Sequence, residues 1–238
     1  MPNQYFHFKQ FTVYHDRCAM KIGTDGVLLG AWTSLENVKT ILDVGTGTGL
    51  LAIMMAQRNN KSFIDAVEID ESAYFQAKEN IENCPWNERI KLYHSSFQDF
   101  ANNCNKRYDL IISNPPYYNN QYRPEAKARA IARHDDTLPL DMLISIGGKL
   151  LSDQGIISLI LSAESFTQLS TLLEKENLYL NRLLNVKPTP EKPVKRILVA
   201  AGKNRSILDQ ATIVLEKGLR HHFTTEYIEL TKEFYLAF

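Results

Sequence analysis

From Thr40 onward, short apolar runs rich in β-branched residues alternate with helix-length amphipathic segments. That alternation predicts a parallel sheet covered by helices on both faces. The runs are TILDV (40–44), FIDAVEI (63–69), IKLYH (90–94), YDLIIS (108–113), GIISLILS (155–162), YLNRLLNV (179–186) and KRILVAA (195–201), six or seven strands in all. Helical periodicity falls near 49–58, 71–83, 138–151 and 164–176, with DES and SAES offering N-caps to the second and fourth. KPTPEKP (187–193) has no room for a helix, so the sixth and seventh strands are expected to form an antiparallel hairpin at the end of the sheet. The expected fold is α/β, a three-layer α/β/α sandwich on a mostly parallel seven-stranded sheet. We expect one domain over 1–238: an N-terminal segment (1–37), a core (38–202) and a C-terminal extension (203–238).

Composition narrows the function. Lys+Arg and Asp+Glu both number 27, so the chain lacks the global basic charge of many nucleic-acid binders, and any such contact must rest on a local patch. Three scattered cysteines fit neither a disulfide framework nor a paired metal site, and no apolar run reaches membrane-spanning length. A cytoplasmic protein is expected. Among the six histidines, His221 and His222 are adjacent and read as a solvated turn, so no metal is expected.

Chemistry is concentrated at two strand ends. DVGTGTG (Asp43 to Gly49) follows the first core strand and opens a helix, the context in which glycines let a backbone approach a ligand. Its GxGxG spacing lacks the extra residue of a dinucleotide fingerprint, which favours a ligand bearing an amino-acid carboxylate over NAD. Glu68 closes the next strand, where an acid can accept hydrogen bonds from a ribose. A tight turn alone would also explain the glycines, and a solvated strand end would explain Glu68; their combination favours a site.

After the fourth strand comes SNPPYYNN (113–120). An exocyclic amino group conjugated to a ring or carbonyl is a poor nucleophile and needs acceptors to hold it in attacking geometry. Asn114 offers a side-chain carbonyl, Pro115 a main-chain carbonyl, the Pro115–Pro116 pair fixes φ, and Tyr117 supplies a flat stacking face. Directly downstream, YRPEAKARAIARH carries Arg123, Lys127, Arg129 and Arg133 against Glu125 alone, and the expected hairpin adds Lys195 and Arg196. Both are candidate RNA contacts.

Together DVGTGTG, VEID and NPPYY resemble the class I S-adenosylmethionine-dependent methyltransferases, with their Rossmann-like core, of the branch that modifies amino groups. FKQFTVYHDRCAMKIGTDGVLLGAW (8–32) and TTEYIELTKEFYLAF (224–238) are similar to the tRNA adenine-N6 methyltransferases that modify A37 of valine tRNA. The resemblance implies S-adenosylmethionine as cofactor and a tRNA anticodon loop as partner. It implies that Gly45, Gly47 and Gly49 contact the methionine part and Glu68 the ribose, that Asp43 and Asn114 belong to the cofactor site, and that Thr24 and Asp25 help close it. Where such enzymes commonly place an aspartate for the adenine, this chain has Ser96, then Phe97, with Asp99 further on; the reader of the adenine stays open among them. Alternatives are glutamine-N5 methylation of release factors, whose enzymes carry a helical N-terminal domain that residues 1–37 cannot supply, guanine-N2 methylation of ribosomal RNA, or an RNA-binding module on a decayed methyltransferase fold.

Overall fold

The computed structural model describes residues 3–116 and 138–238. Two short strands, β1 (Tyr5–His7) and β2 (Thr12–Tyr14), form an antiparallel hairpin, followed by α1 (Thr24–Trp32). The core then runs β3 (Thr40–Val44), α2 (Leu50–Arg58), β4 (Phe63–Glu68), α3 (Glu71–Glu82), β5 (Ile90–His94), α4 (Phe97–Asn102) and β6 (Tyr108–Ser113). After the undescribed stretch come α5 (Leu140–Leu150), β7 (Leu151–Ser162), α6 (Phe166–Lys175), β8 (Tyr179–Lys187), β9 (Arg196–Gly202), β10 (Asp209–Val214) and α7 (Thr225–Thr231). The main sheet has the order β10-β8-β9-β7-β6-β3-β4-β5.

Each expected strand forms, and β8 and β9 pair antiparallel as the intervening prolines require. Among the described residues the sheet nevertheless has eight strands, not seven, and the hairpin does not end it. β9 lies against β7, and β10, from the expected C-terminal extension, pairs parallel to the outer side of β8. DQATIV is hard to see as a strand because its first four residues are exposed and Ile213 is its one buried apolar side chain. SAES also behaves differently: Ala163–Ser165 forms a 3₁₀ turn and Ser165 makes no side-chain cap bond to α6, whereas Asp70 caps α3 by accepting from the Ala73 N–H at 2.7 Å.

Strand side chains alternate between two cores. Ile41, Ile64, Leu110, Ile112 and Leu198 pack under α1, α2 and α3, while Leu42, Val44, Val67, Ile111 and Val199 pack under α5 and α6. A sheet buried on both faces needs apolar residues at successive positions, which is why the strands read as continuous runs.

The N-terminal hairpin is tied to the core through one polar side chain. Asn80 of α3, 1% exposed, accepts from the Tyr14 N–H (2.8 Å) and donates to the carbonyls of Tyr14 and Thr48, each at 2.8 Å. Hairpin, helix and glycine loop thus share one amide. Replacing Asn80 with the similarly sized Leu leaves three main-chain groups unpaired. The expected loss is about 2–4 kcal/mol of unfolding free energy in a urea titration.

Candidate active site

β3 and β6 are adjacent and parallel, with Asp43 opposite Ile112. From β3 the chain proceeds to β4 and β5 on one side, whereas β6 continues to β7 on the other. The strand order therefore reverses between β3 and β6, and a crevice opens outside their carboxyl ends. The glycine loop and Asn114 flank that point.

Gly45, Gly47 and Gly49 have φ of +68°, +58° and +81°, a region where side-chain-bearing residues are strained. The loop is anchored by Gly45 and Thr46 N–H groups donating to the Val67 carbonyl, at 2.9 and 3.0 Å. A Cβ on Gly47 would meet nothing within 4 Å, so the space above the loop is open. Beneath it, fully buried Asp43 accepts from the Thr46 hydroxyl (2.5 Å) and from the Ala52 N–H in the first turn of α2 (3.1 Å). Its other oxygen, Oδ1, has no hydrogen-bond partner among the described residues. Burial drives the Asp43 carboxyl up to about 7, with Glu68 adding to the rise and the Thr46 and Ala52 bonds opposing it.

Glu68 accepts three main-chain hydrogen bonds: from Gly47 (2.7 Å) on one oxygen, and from Ile69 and Asp70 (both 2.9 Å) on the other. It therefore shapes the loop as well as facing the crevice end of β4. Burial first, then the carboxylates of Glu68, Asp70 and Asp16, push the Cys18 thiol up to about 12, so the segment after β2 lies close to this acid and its thiol stays protonated.

Asn114 is half-buried, Pro115 buried and Pro116 exposed. α1 approaches this turn at Gly26: a Cβ there would stand 3.0 Å from Leu50 Cδ2 and 4.0 Å from Asn114 Nδ2. The neighbouring Asp25 pairs with Arg196 of β9 at 2.8 Å, so two residues expected in separate roles, cofactor closure and RNA contact, hold each other. The Thr24 side chain lies beside Tyr227 of α7. Lys195 is exposed. Tyr117, Arg123, Lys127, Arg129 and Arg133 lie outside the described residues.

Beyond β3, β4 and β5 runs a small open crevice lined by Val44, Gly45, Val67, Ile69, Ser95, Phe97, Gln98 and Leu138. Its apolar walls suit a flat ring. Phe97 forms part of it, while Ser96 and Asp99 are engaged with each other: the Ser96 hydroxyl accepts from the Asp99 N–H (3.0 Å) and donates to its carboxylate (2.7 Å), capping α4. Open space over Gly47, an acid at the end of β4 and an apolar slot beyond it fit the three parts of S-adenosylmethionine: amino acid, ribose and adenine. Asn80, Gly26 and Gln98 were not singled out in the sequence: Asn80 reads as an ordinary helix residue, and Gly26 and Gln98 lie in helices that the apolar pattern does not show. Among the described residues no group of His, Cys, Asp or Glu could hold a metal ion.

A glycine loop and an Asn-Pro-Pro turn flanking the switch point of a mostly parallel sheet define the α/β S-adenosylmethionine-dependent methyltransferases, and the family model of the methyltransferase small domain matches residues 21–176. The chain belongs to the family of tRNA1(Val) (adenine(37)-N6)-methyltransferases. It is 46% identical to the member from Christiangramia forsetii over 99% of both chains, and 45% identical to that from Trichodesmium erythraeum over 100% of both. In fold it is similar to a "predicted O-methyltransferase" from Agrobacterium tumefaciens (TM-score 0.69, 18% identity, 88% of this chain and 96% of that one). It is also similar to a ribosomal protein L11 methylase from Lactobacillus delbrueckii (TM-score 0.51, 16% identity, 76% and 78%).

The Asp43 environment has a pH signature. Its carboxyl holds a proton in the fold up to about pH 7 but releases it near the ordinary 3.8 when unfolded. Its stabilising contribution is therefore complete below the lower value and is lost as pH rises through the upper one, at up to about 1.4 kcal/mol per pH unit. Urea titrations from pH 4.5 to 8 are expected to show wild-type stability falling relative to Asp43→Asn; parallel curves for the two proteins would place the Asp43 titration elsewhere.

Proposed function

We propose that this chain methylates the N6 amino group of adenosine 37 in the anticodon loop of tRNA1(Val). The observation that carries the reading is the Asn-Pro-Pro turn beside the glycine loop at the strand switch, in a chain matching relatives of that name along its whole length. The full-length match speaks against the release-factor and ribosomal RNA alternatives.

S-adenosylmethionine supplies a methyl group on an already electrophilic sulfonium carbon. The enzyme's task is then positional. The side-chain carbonyl of Asn114 and the main-chain carbonyl of Pro115 accept hydrogen bonds from the two N6 hydrogens, directing the nitrogen lone pair at the methyl carbon. Tyr117 stacks on the adenine, contributing about 1–3 kcal/mol toward extruding it. As the N6–CH₃ bond forms, the S–CH₃ electron pair stays on sulfur and one N6 proton passes to solvent, so no enzyme nucleophile is needed. An unpaired loop nucleotide costs less to extrude than a duplex base. Arg123, Lys127, Arg129, Arg133 and Lys195 supply phosphate contacts; Arg196 is paired to Asp25 of α1. A tRNA substrate and three free cysteines favour a cytoplasmic setting for this reading.

Labelled methyl transfer to unmodified tRNA, followed by nucleoside analysis, tests the reading. N6-methyladenosine in valine tRNA is expected, and label confined to a release factor assayed in parallel would overturn it. Asn114→Ala is expected to lower kcat about 100-fold or more while leaving the Kd for S-adenosylhomocysteine within about twofold. Arg129→Glu should raise the Kd for tRNA, with a shallower salt dependence.

A further inference from the structure

The crevice beyond β5 has apolar faces but few polar groups to read the edge of a ring. Val44, Val67, Ile69, Phe97 and Leu138 offer no side-chain hydrogen bond, and the Ser95 hydroxyl donates to the Ser96 carbonyl at 3.0 Å. Ser96 and Asp99 cap α4 through each other and do not line the crevice. Turning Ser96 inward would break its cap to the Asp99 N–H, and turning the Asp99 carboxylate inward would break its bond to the Ser96 hydroxyl.

Gln98 remains. It stands in the first turn of α4, half-buried, on the wall of the crevice, and its amide has no hydrogen-bond partner among the described residues. A carboxamide presents a donor and an acceptor side by side. Adenine presents the complement: the N6 amino group donates, and the adjacent ring nitrogens accept. We propose that Gln98 recognises the cofactor's adenine, its carbonyl oxygen accepting from N6–H and its amide donating to a neighbouring ring nitrogen. The assignment rests on the S-adenosylmethionine reading of the crevice.

A carboxamide can also turn over. Faced with a 6-oxo purine, the rotated amide donates to O6 and accepts from N1–H, so Gln98 tolerates hypoxanthine better than an acceptor-only side chain would. Titration calorimetry with S-adenosylhomocysteine and S-inosylhomocysteine separates these cases without turnover. Gln98→Leu is expected to weaken S-adenosylhomocysteine binding about three- to tenfold and to bring the two ligands to similar affinity. Gln98→Glu, left with no donor for O6, is expected to weaken S-inosylhomocysteine about tenfold or more relative to wild type. Each discrimination ratio is internal to one protein, so a general loss of fold does not imitate it. The same ratio in all three proteins would overturn the assignment, whereas failure of the wild type to bind S-adenosylhomocysteine would instead overturn the cofactor reading.

Discussion

The site depends on two parallel strands lying side by side while their connections leave in opposite directions. β3 and β6 are joined by the ladder that sets Asp43 against Ile112. The loops beyond them cannot fill the space between, because each must cross to a different side of the sheet. That gap receives the ligand. It also brings together residues 69 positions apart in the chain: the Ser113 hydroxyl donates to the Val44 carbonyl at 2.7 Å, holding the end of β6 level with the start of the glycine loop. Position at this reversal, more than any single residue, sets the Asn-Pro-Pro turn beside the glycine loop.

The terminal segments complete the site from outside the sheet. α1 is apolar on nearly every side, with Gly26 through Ala31 buried, and it lies between α2, α7 and β7. Gly30 admits Met54, whose Cε would stand 2.5 Å from a Cβ at that position. The end of α1 is capped by Arg58, which donates to the carbonyls of Gly30 and Thr33 at 2.7 Å. Its start is held by the Asp25–Arg196 pair and by Thr24 on Tyr227. The helix that approaches Asn114 at Gly26 is thus fixed from both ends, and the C-terminal aromatic cluster of Phe223, Tyr227, Tyr235 and Phe238 packs behind it.

These contacts explain what could be read from the sequence. The core strands declared themselves because burial on both faces leaves continuous apolar runs, and the glycine loop because three positive φ values admit little else. α1 did not, since a helix buried all round has no polar face to give it a period. β10 did not, since an edge strand with one buried side chain carries little apolar signal. At the site, strand ends fixed the neighbourhood of Asp43, Glu68 and Asn114, but hydrogen-bond allegiance lies beyond sequence. Thr24 and Asp25 turn to Tyr227 and Arg196, and Ser96 and Asp99 turn to each other, because each partner comes from chain folding or local capping that a motif does not encode.

Electrostatics couples the same residues. Glu68 shapes the loop by accepting the Gly47 N–H, and its charge helps raise the carboxyl of Asp43 beneath that loop. An acid with a raised affinity for its proton stores unfavourable energy whenever it ionises, and a positive charge nearby lowers that energy. A cationic ligand resting on the open face of Gly47 would favour ionised Asp43 and therefore bind with release of a proton near neutrality. By the same linkage, a ligand of identical shape without the positive charge gains less from the site.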